Sequence, residues 1–101
     1  MKVIAVALAL ALGAGVSFAG VEDSMNKAGC MACHTKDKKL VGPAFKDIAA
    51  KYKGQDVVAR LVDKVRKGGA GSFGPIPMAP NGPDKISDDE LKAAVELILR
   101  S

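Results

Sequence analysis

The residues with the most chemistry in this chain lie side by side. Cys30 and Cys33 are separated by two residues and His34 follows at once, giving Cys30-Met31-Ala32-Cys33-His34. Side chains at i and i+3 stand one helical turn apart on the same face. Two thiols so placed can each bond a vinyl group on one edge of a single macrocycle. The next residue, His34, is then held against the iron by a backbone already fixed through two thioethers. The pattern C-x-x-C-H is the attachment signal for c-type haem.

Other chemistries use the same residue types. A disulfide between Cys30 and Cys33 would make a thioredoxin-like redox pair, but that site belongs beside a βαβ pattern, which this chain lacks. A structural zinc site closes with four ligands, and two cysteines with the only histidine leave it one short. Coincidental spacing is the third alternative. The export signal described below agrees with haem attachment.

Iron held by one imidazole needs a second axial ligand, and the chain has no second histidine. Of the four methionines, Met1 lies in the export segment, and Met31 sits within the attachment turn. Met25 falls on a helical face, where it serves a core. Met78 lies in the middle of GGAGSFGPIPMAPNGP (68–83), a stretch rich in glycine and proline. Pro75, Pro77 and Pro80 lock φ and bias the residues before them toward extended backbone, so Ile76 to Ala79 should be extended and stiff. Such a segment is often a flexible linker. Within one small domain, however, a long loop is usually functional, and here it is expected to present the Met78 sulfur.

Four helical patterns must position these residues. The first runs from Val21 to Ala28, directly before Gly29 and Cys30. The second opens at Pro43, a residue suited to a first helical position; Phe45, Ile48, Ala49 and Tyr52 form its stripe and Gly54 ends it. The third spans Asp56 to Lys67 with Val58, Leu61, Val62 and Val65 on one face and Gly68-Gly69 as the stop. The fourth begins with the capping box Ser87-Asp88-Asp89-Glu90 and buries Leu91, Ala94, Val95 and Ile98. No segment alternates like a strand, so the expected fold class is all-α.

Size and composition bound the rest. Lys2, the unbroken apolar run Val3 to Leu12 and the small residues of Ser17-Phe18-Ala19 have the form of a secretory signal, with cleavage expected after Ala19. An uncleaved anchor is the alternative, though a bilayer span needs about 20 apolar residues. One domain over 20–101 follows. Loss of Lys2 leaves fourteen basic against eleven acidic residues, an excess that two haem propionates would largely cancel, which argues against a nucleic-acid partner. A domain this small, with few aromatics, usually needs a staple such as a cofactor. Burial of several hundred Å² of macrocycle would contribute on the order of 10 kcal/mol, so the apoprotein is expected to be largely unfolded.

The chain resembles the class I cytochromes c, and among them the short bacterial c-551 and c-552 type. The likeness covers nearly all of 21–101 and rests on GCMACH (29–34), VGPAFKDIAAKY (41–52), GPIPMAPN (74–81) and ISDDELKAAVELIL (86–99). It implies about four helices around one covalently bound haem c, with Cys30 and Cys33 as thioether anchors and His34 and Met78 as iron ligands. It further implies that the Pro43 carbonyl accepts a hydrogen bond from His34, that Asn81 approaches the Met78 sulfur, and that Lys64 lies near a propionate. The resemblance departs at Phe73, where many relatives have a tryptophan, and at Gly82 to Ile86, where the connection is longer than usual.

The function so implied is that of a periplasmic one-electron carrier, not an enzyme, cycling Fe(III) and Fe(II). His/Met ligation leaves no open position on iron. Met25, Val41, Phe45, Leu61, Val65, Phe73 and Ile76 are the apolar side chains expected around the haem. Lys27, Lys36, Lys38, Lys39, Lys51 and Lys53 are candidates to ring its exposed edge and favour brief docking of acidic partners, although singly each is better taken as an ordinary solvated charge. Relatives serve nitrite reductases, terminal oxidases, peroxidases and copper proteins. A monomer without a small-molecule substrate is expected. A gas sensor or peroxidase-like enzyme is the alternative, should Met78 leave the iron.

Overall fold

A computed structural model describes residues 18–101. The apolar run assigned to the export signal lies outside them, and the expected cleavage point falls in the first turn of α1. The order is α1 (Phe18–Ala28), a short 3-10 turn (Cys30–Ala32), α2 (Phe45–Lys51), α3 (Val58–Lys67), strands β1 (Gly69–Gly71) and β2 (Gly74–Met78), and α4 (Asp88–Leu99). Among the described residues, no helix is long and apolar enough to cross a membrane.

α4 is the element on which the others close, packing against α1, α2 and α3. Its start is fixed locally. The Ser87 hydroxyl accepts from the Glu90 N–H at 3.2 Å, and the Ser87 N–H donates to Glu90 Oε1 at 2.9 Å. Both halves of the capping box are therefore made, and they satisfy two amides that the first turn leaves without helical partners. Leu91, Ala94 and Val95 are buried, facing Val21, Met25 and Ala28 of α1 and Phe45 of α2 in one cluster with Ile86. Across this seam, buried Ser24 donates to Glu90 Oε2 at 2.8 Å. The Ser87 N–H, together with Ser24, holds the Glu90 carboxyl below its ordinary range.

Two expectations are corrected. α2 starts at Phe45 with Ala44 as its N-cap, not at Pro43. The Pro43 carbonyl points instead to His34, so Pro43 belongs to the loop that buttresses the imidazole. The glycine-rich stretch also forms an antiparallel hairpin, with Gly69 opposite Met78, Gly71 opposite Gly74 and an irregularity between them. Three of its residues are glycines with no side chain to alternate, which hides the strand from a periodicity test. The fold remains helical in class. Of the apolar residues expected around the haem, Met25 and Phe45 are buried, Leu61 and Val65 half-buried, and Val41, Phe73 and Ile76 exposed.

α3 differs from the other helices in having no fully buried residue. Its stripe of Val58, Leu61, Val62 and Val65 packs against the edge of the core and stays half-exposed.

Candidate functional site

The attachment segment is a turn of its own. α1 ends at Gly29, whose φ of 88° reverses the chain, and Cys30–Ala32 continue as a 3-10 turn. The Cys30 carbonyl accepts from both the Cys33 N–H at 3.2 Å and the His34 N–H at 3.0 Å. Both cysteines are free thiols in the structure, each half-buried. Burial pushes the Cys30 thiol above its ordinary range, reinforced by Cys33 and opposed by a backbone hydrogen bond. A redox pair needs the opposite, a thiol poised to ionise. Among the described residues, no group of three or more His, Cys, Asp and Glu side chains could hold a metal ion.

His34 is held on two sides. Its Nδ1 lies 2.8 Å from the Pro43 carbonyl oxygen. A carbonyl only accepts, so Nδ1 is the nitrogen that carries a proton here, and in the neutral imidazole the lone pair is then on Nε2. A ligand imidazole is commonly oriented this way by a bond on its other nitrogen. The Phe45 ring stacks on the imidazole with centroids 5.4 Å apart and planes 21° from parallel. Gly42, whose N–H donates to the Cys33 carbonyl at 2.8 Å, passes so close that a Cβ there would come within 2.5 Å of the ring. Backbone, carbonyl and aromatic ring together fix the imidazole plane before any metal is considered.

Met78 ends β2 and is half-buried. Its backbone lies against the end of α3, where Gly68 caps the helix at φ 73°. A Cβ on Gly68 would fall 2.4 Å from the Met78 carbonyl oxygen and 2.9 Å from the Pro80 nitrogen. Only glycine meets both the φ and the space. Asn81 follows, its N–H donating to the Val65 carbonyl at 3.0 Å and its side-chain amide to Ala79 O at 3.1 Å and Val65 O at 3.4 Å. The loop that carries Met78 is thus seated on the C-terminal carbonyls of α3. As expected from its prolines, Ile76 to Met78 is extended.

Lys64 lies half-buried in the last turn of α3, with Nζ turned toward Gly69. Phe73, at the tip of the hairpin, receives the Lys51 ammonium 4.4 Å above its ring centroid. Lys51 also donates to the Ser72 carbonyl, tying the tip to α2. Sequence reasoning did not single out Gly42, Gly68 or Arg66 as site residues. Gly68 was visible only as a helix stop and Gly42 only as part of VGPAFKDIAAKY, and the role of each depends on partners several residues away along the chain.

These residues suit a covalently held porphyrin: two free thiols on one turn, an imidazole with a free Nε2, and a thioether on a braced strand. Comparison with known proteins agrees. The family model described as Cytochrome c matches residues 21–101, and the chain belongs to that family, electron-transfer proteins that carry covalently attached haem c. Within it, the chain is similar to cytochrome c-551 of Pseudomonas denitrificans, 47% identical over 77% of this chain and 93% of the relative. It is likewise similar to cytochrome c-552 of Hydrogenobacter thermophilus, 44% identical over 85% of each. The crystal structure of Nitrosomonas europaea cytochrome c552 superposes with a TM-score of 0.70 at 44% identity, covering 77% of this chain and 95% of that one.

Proposed function

We propose that this cytochrome is a periplasmic carrier of single electrons in which His34 and Met78 are the two axial ligands and Cys30 and Cys33 the thioether anchors. Haem c, when bound, supplies the reversible Fe(III)/Fe(II) couple. The chain supplies its setting. Pro43 O keeps the proton on Nδ1 of His34 and Nε2 free, at 2.8 Å, and this is the observation that carries the reading. The close approach at Gly68 fixes where the Met78 backbone lies. A thioether ligand raises the potential relative to harder donors. Lys64, turned toward β1, is the side chain offered to a propionate, and Asn81 is the polar group nearest Met78 in sequence.

Residues 1–19 serve as the export signal in this reading, which delivers the chain to an oxidising compartment. Docking is transient and to acidic redox proteins, among which nitrite reductase, terminal oxidase, peroxidase and copper proteins are the classes considered. Of the six candidate edge lysines, Lys27 and Lys36 are partly neutralised by Asp23 at 3.3 Å and Glu22 at 3.8 Å. Lys51 is engaged by the hairpin. Lys38, Lys39 and Lys53 remain exposed and would carry most of the steering.

The test is a visible spectrum and an intact mass of protein purified from its native host. The expected mass is that of residues 20–101 plus one haem, and the ferrous form should ignore CO. Ready CO binding would move the protein to the sensor or peroxidase class, and colourless protein would end the proposal.

A further inference from the structure

Arg66 is a side chain on α3 that the function above leaves without a role, and it is well engaged. Only 16% of its side chain is exposed. Nη1 donates to the Ile86 carbonyl at 2.8 Å and the Asn81 carbonyl at 3.2 Å, while Nη2 reaches Asp88 Oδ1 at 2.6 Å. One guanidinium therefore joins α3 to three points of another segment: the exit of the Met78 loop, the end of the 82–86 connection, and the first residue of α4. Its own carbonyl accepts from the Asn81 N–H at 3.3 Å, beside the Val65 carbonyl at 3.0 Å, so Asn81 is held through both its N–H and its C=O.

The placement matters because of what lies on either side. Before Asn81, the loop is seated on α3 by close backbone approach at Gly68. After it, Gly82 to Ile86 is a turn closed by its own bonds, Lys85 N–H and Ile86 N–H both donating to the Gly82 carbonyl at 3.0 and 3.3 Å. Those bonds tie the turn to itself, so the hold of α3 on this end of the loop comes from Asn81 and the guanidinium. A planar guanidinium with five donors in a fixed fork spans separated acceptors better than a compact ammonium with three.

We infer that Arg66 is a positioning residue that latches the downstream end of the Met78 loop to α3 and α4, and so sets how readily Met78 leaves its place. The inference rests on Met78 being the ligand, and the experiment separates the two. Arg66→Met, Arg66→Lys and, as a control, Ser87→Ala would be made in the haem-loaded protein. Ser87→Ala weakens the start of the same α4 without touching the guanidinium. Two rates are read: amide hydrogen exchange at Asn81 relative to Ile48 in α2, and entry of imidazole into the ferric protein, which waits on release of Met78. Arg66→Met is expected to raise both by about tenfold or more, the scale of one charged hydrogen bond, Arg66→Lys to raise them less, and Ser87→Ala to leave both nearly unchanged. Asn81 exchange no faster in Arg66→Met than in Ser87→Ala overturns the latch. Faster exchange with unchanged, slow imidazole entry overturns its effect on Met78. Faster exchange in a protein whose unaltered form already takes up imidazole at once refutes Met78 as ligand and leaves the latch standing.

Discussion

The two flanks of α4 are built on different physics. On the α1 side, Met25, Leu91, Val95 and Ile86 are the largest fully buried side chains of the described chain, and contact among apolar groups holds the elements together. On the α3 side no helical residue is fully buried, the hairpin is exposed apart from Met78, and directional bonds from Arg66, Asn81 and Lys51 do the holding. Hydrophobic contact is strong and indifferent to direction; hydrogen bonds are weaker and fix geometry. The first flank therefore supplies cohesion and the second supplies placement. The stripe of α3 is apolar surface that the core covers only in part.

Removal of the cofactor should separate the flanks most sharply. With both cysteines replaced, C30A and C33A, covalent attachment is lost and the chain is expected to lose most of its helical circular dichroism; native helicity in that variant would show the α1 flank to be self-sufficient. Met25→Ala comes next, with an expected loss of about 2–5 kcal/mol for a fully buried side chain, against about 1 kcal/mol for half-exposed Val62→Ala, both from denaturant melts of the haem-loaded protein. Equal losses would erase the distinction.

Met78→Ala should invert the ranking. It is expected to cost less stability than Met25→Ala while lowering the midpoint potential and admitting imidazole and CO, as measured by spectroelectrochemistry and ligand titration. The smallest effects belong to the cap. Ser87→Ala is expected to cost about 1 kcal/mol. Glu90→Gln tests the sign of its pKa shift. A carboxyl held below its unfolded range stabilises the fold above that range and loses the contribution as pH falls through its depressed folded value. The stability gap between wild type and Glu90→Gln should thus be steady at neutral pH and close below about pH 4. A gap that widened in acid would contradict the bond to the Ser87 N–H.

The sequence made the cohesive flank legible because its determinants are local. Ser87 and Glu90 lie three residues apart, and the stripes of α1 and α4 repeat at helical spacing. The C-x-x-C-H turn was equally plain. The placing flank was harder, since its partners are separated by fifteen to twenty-two residues, as between Arg66 and Asn81 or Asp88. The bond from His34 to Pro43 was available only through resemblance, and a local rule for proline put the start of α2 two residues early. The hairpin escaped because glycines carry no pattern.

Gly42 has a consequence for how this chain tolerates mutation. Its backbone lies so near the imidazole that even alanine overlaps the ring, so this position is censored by contact. A saturation library selected for growth on the electron-transfer pathway should return glycine alone at residue 42. Such a survivor map would trace the imidazole plane in living cells, before any pigment is purified.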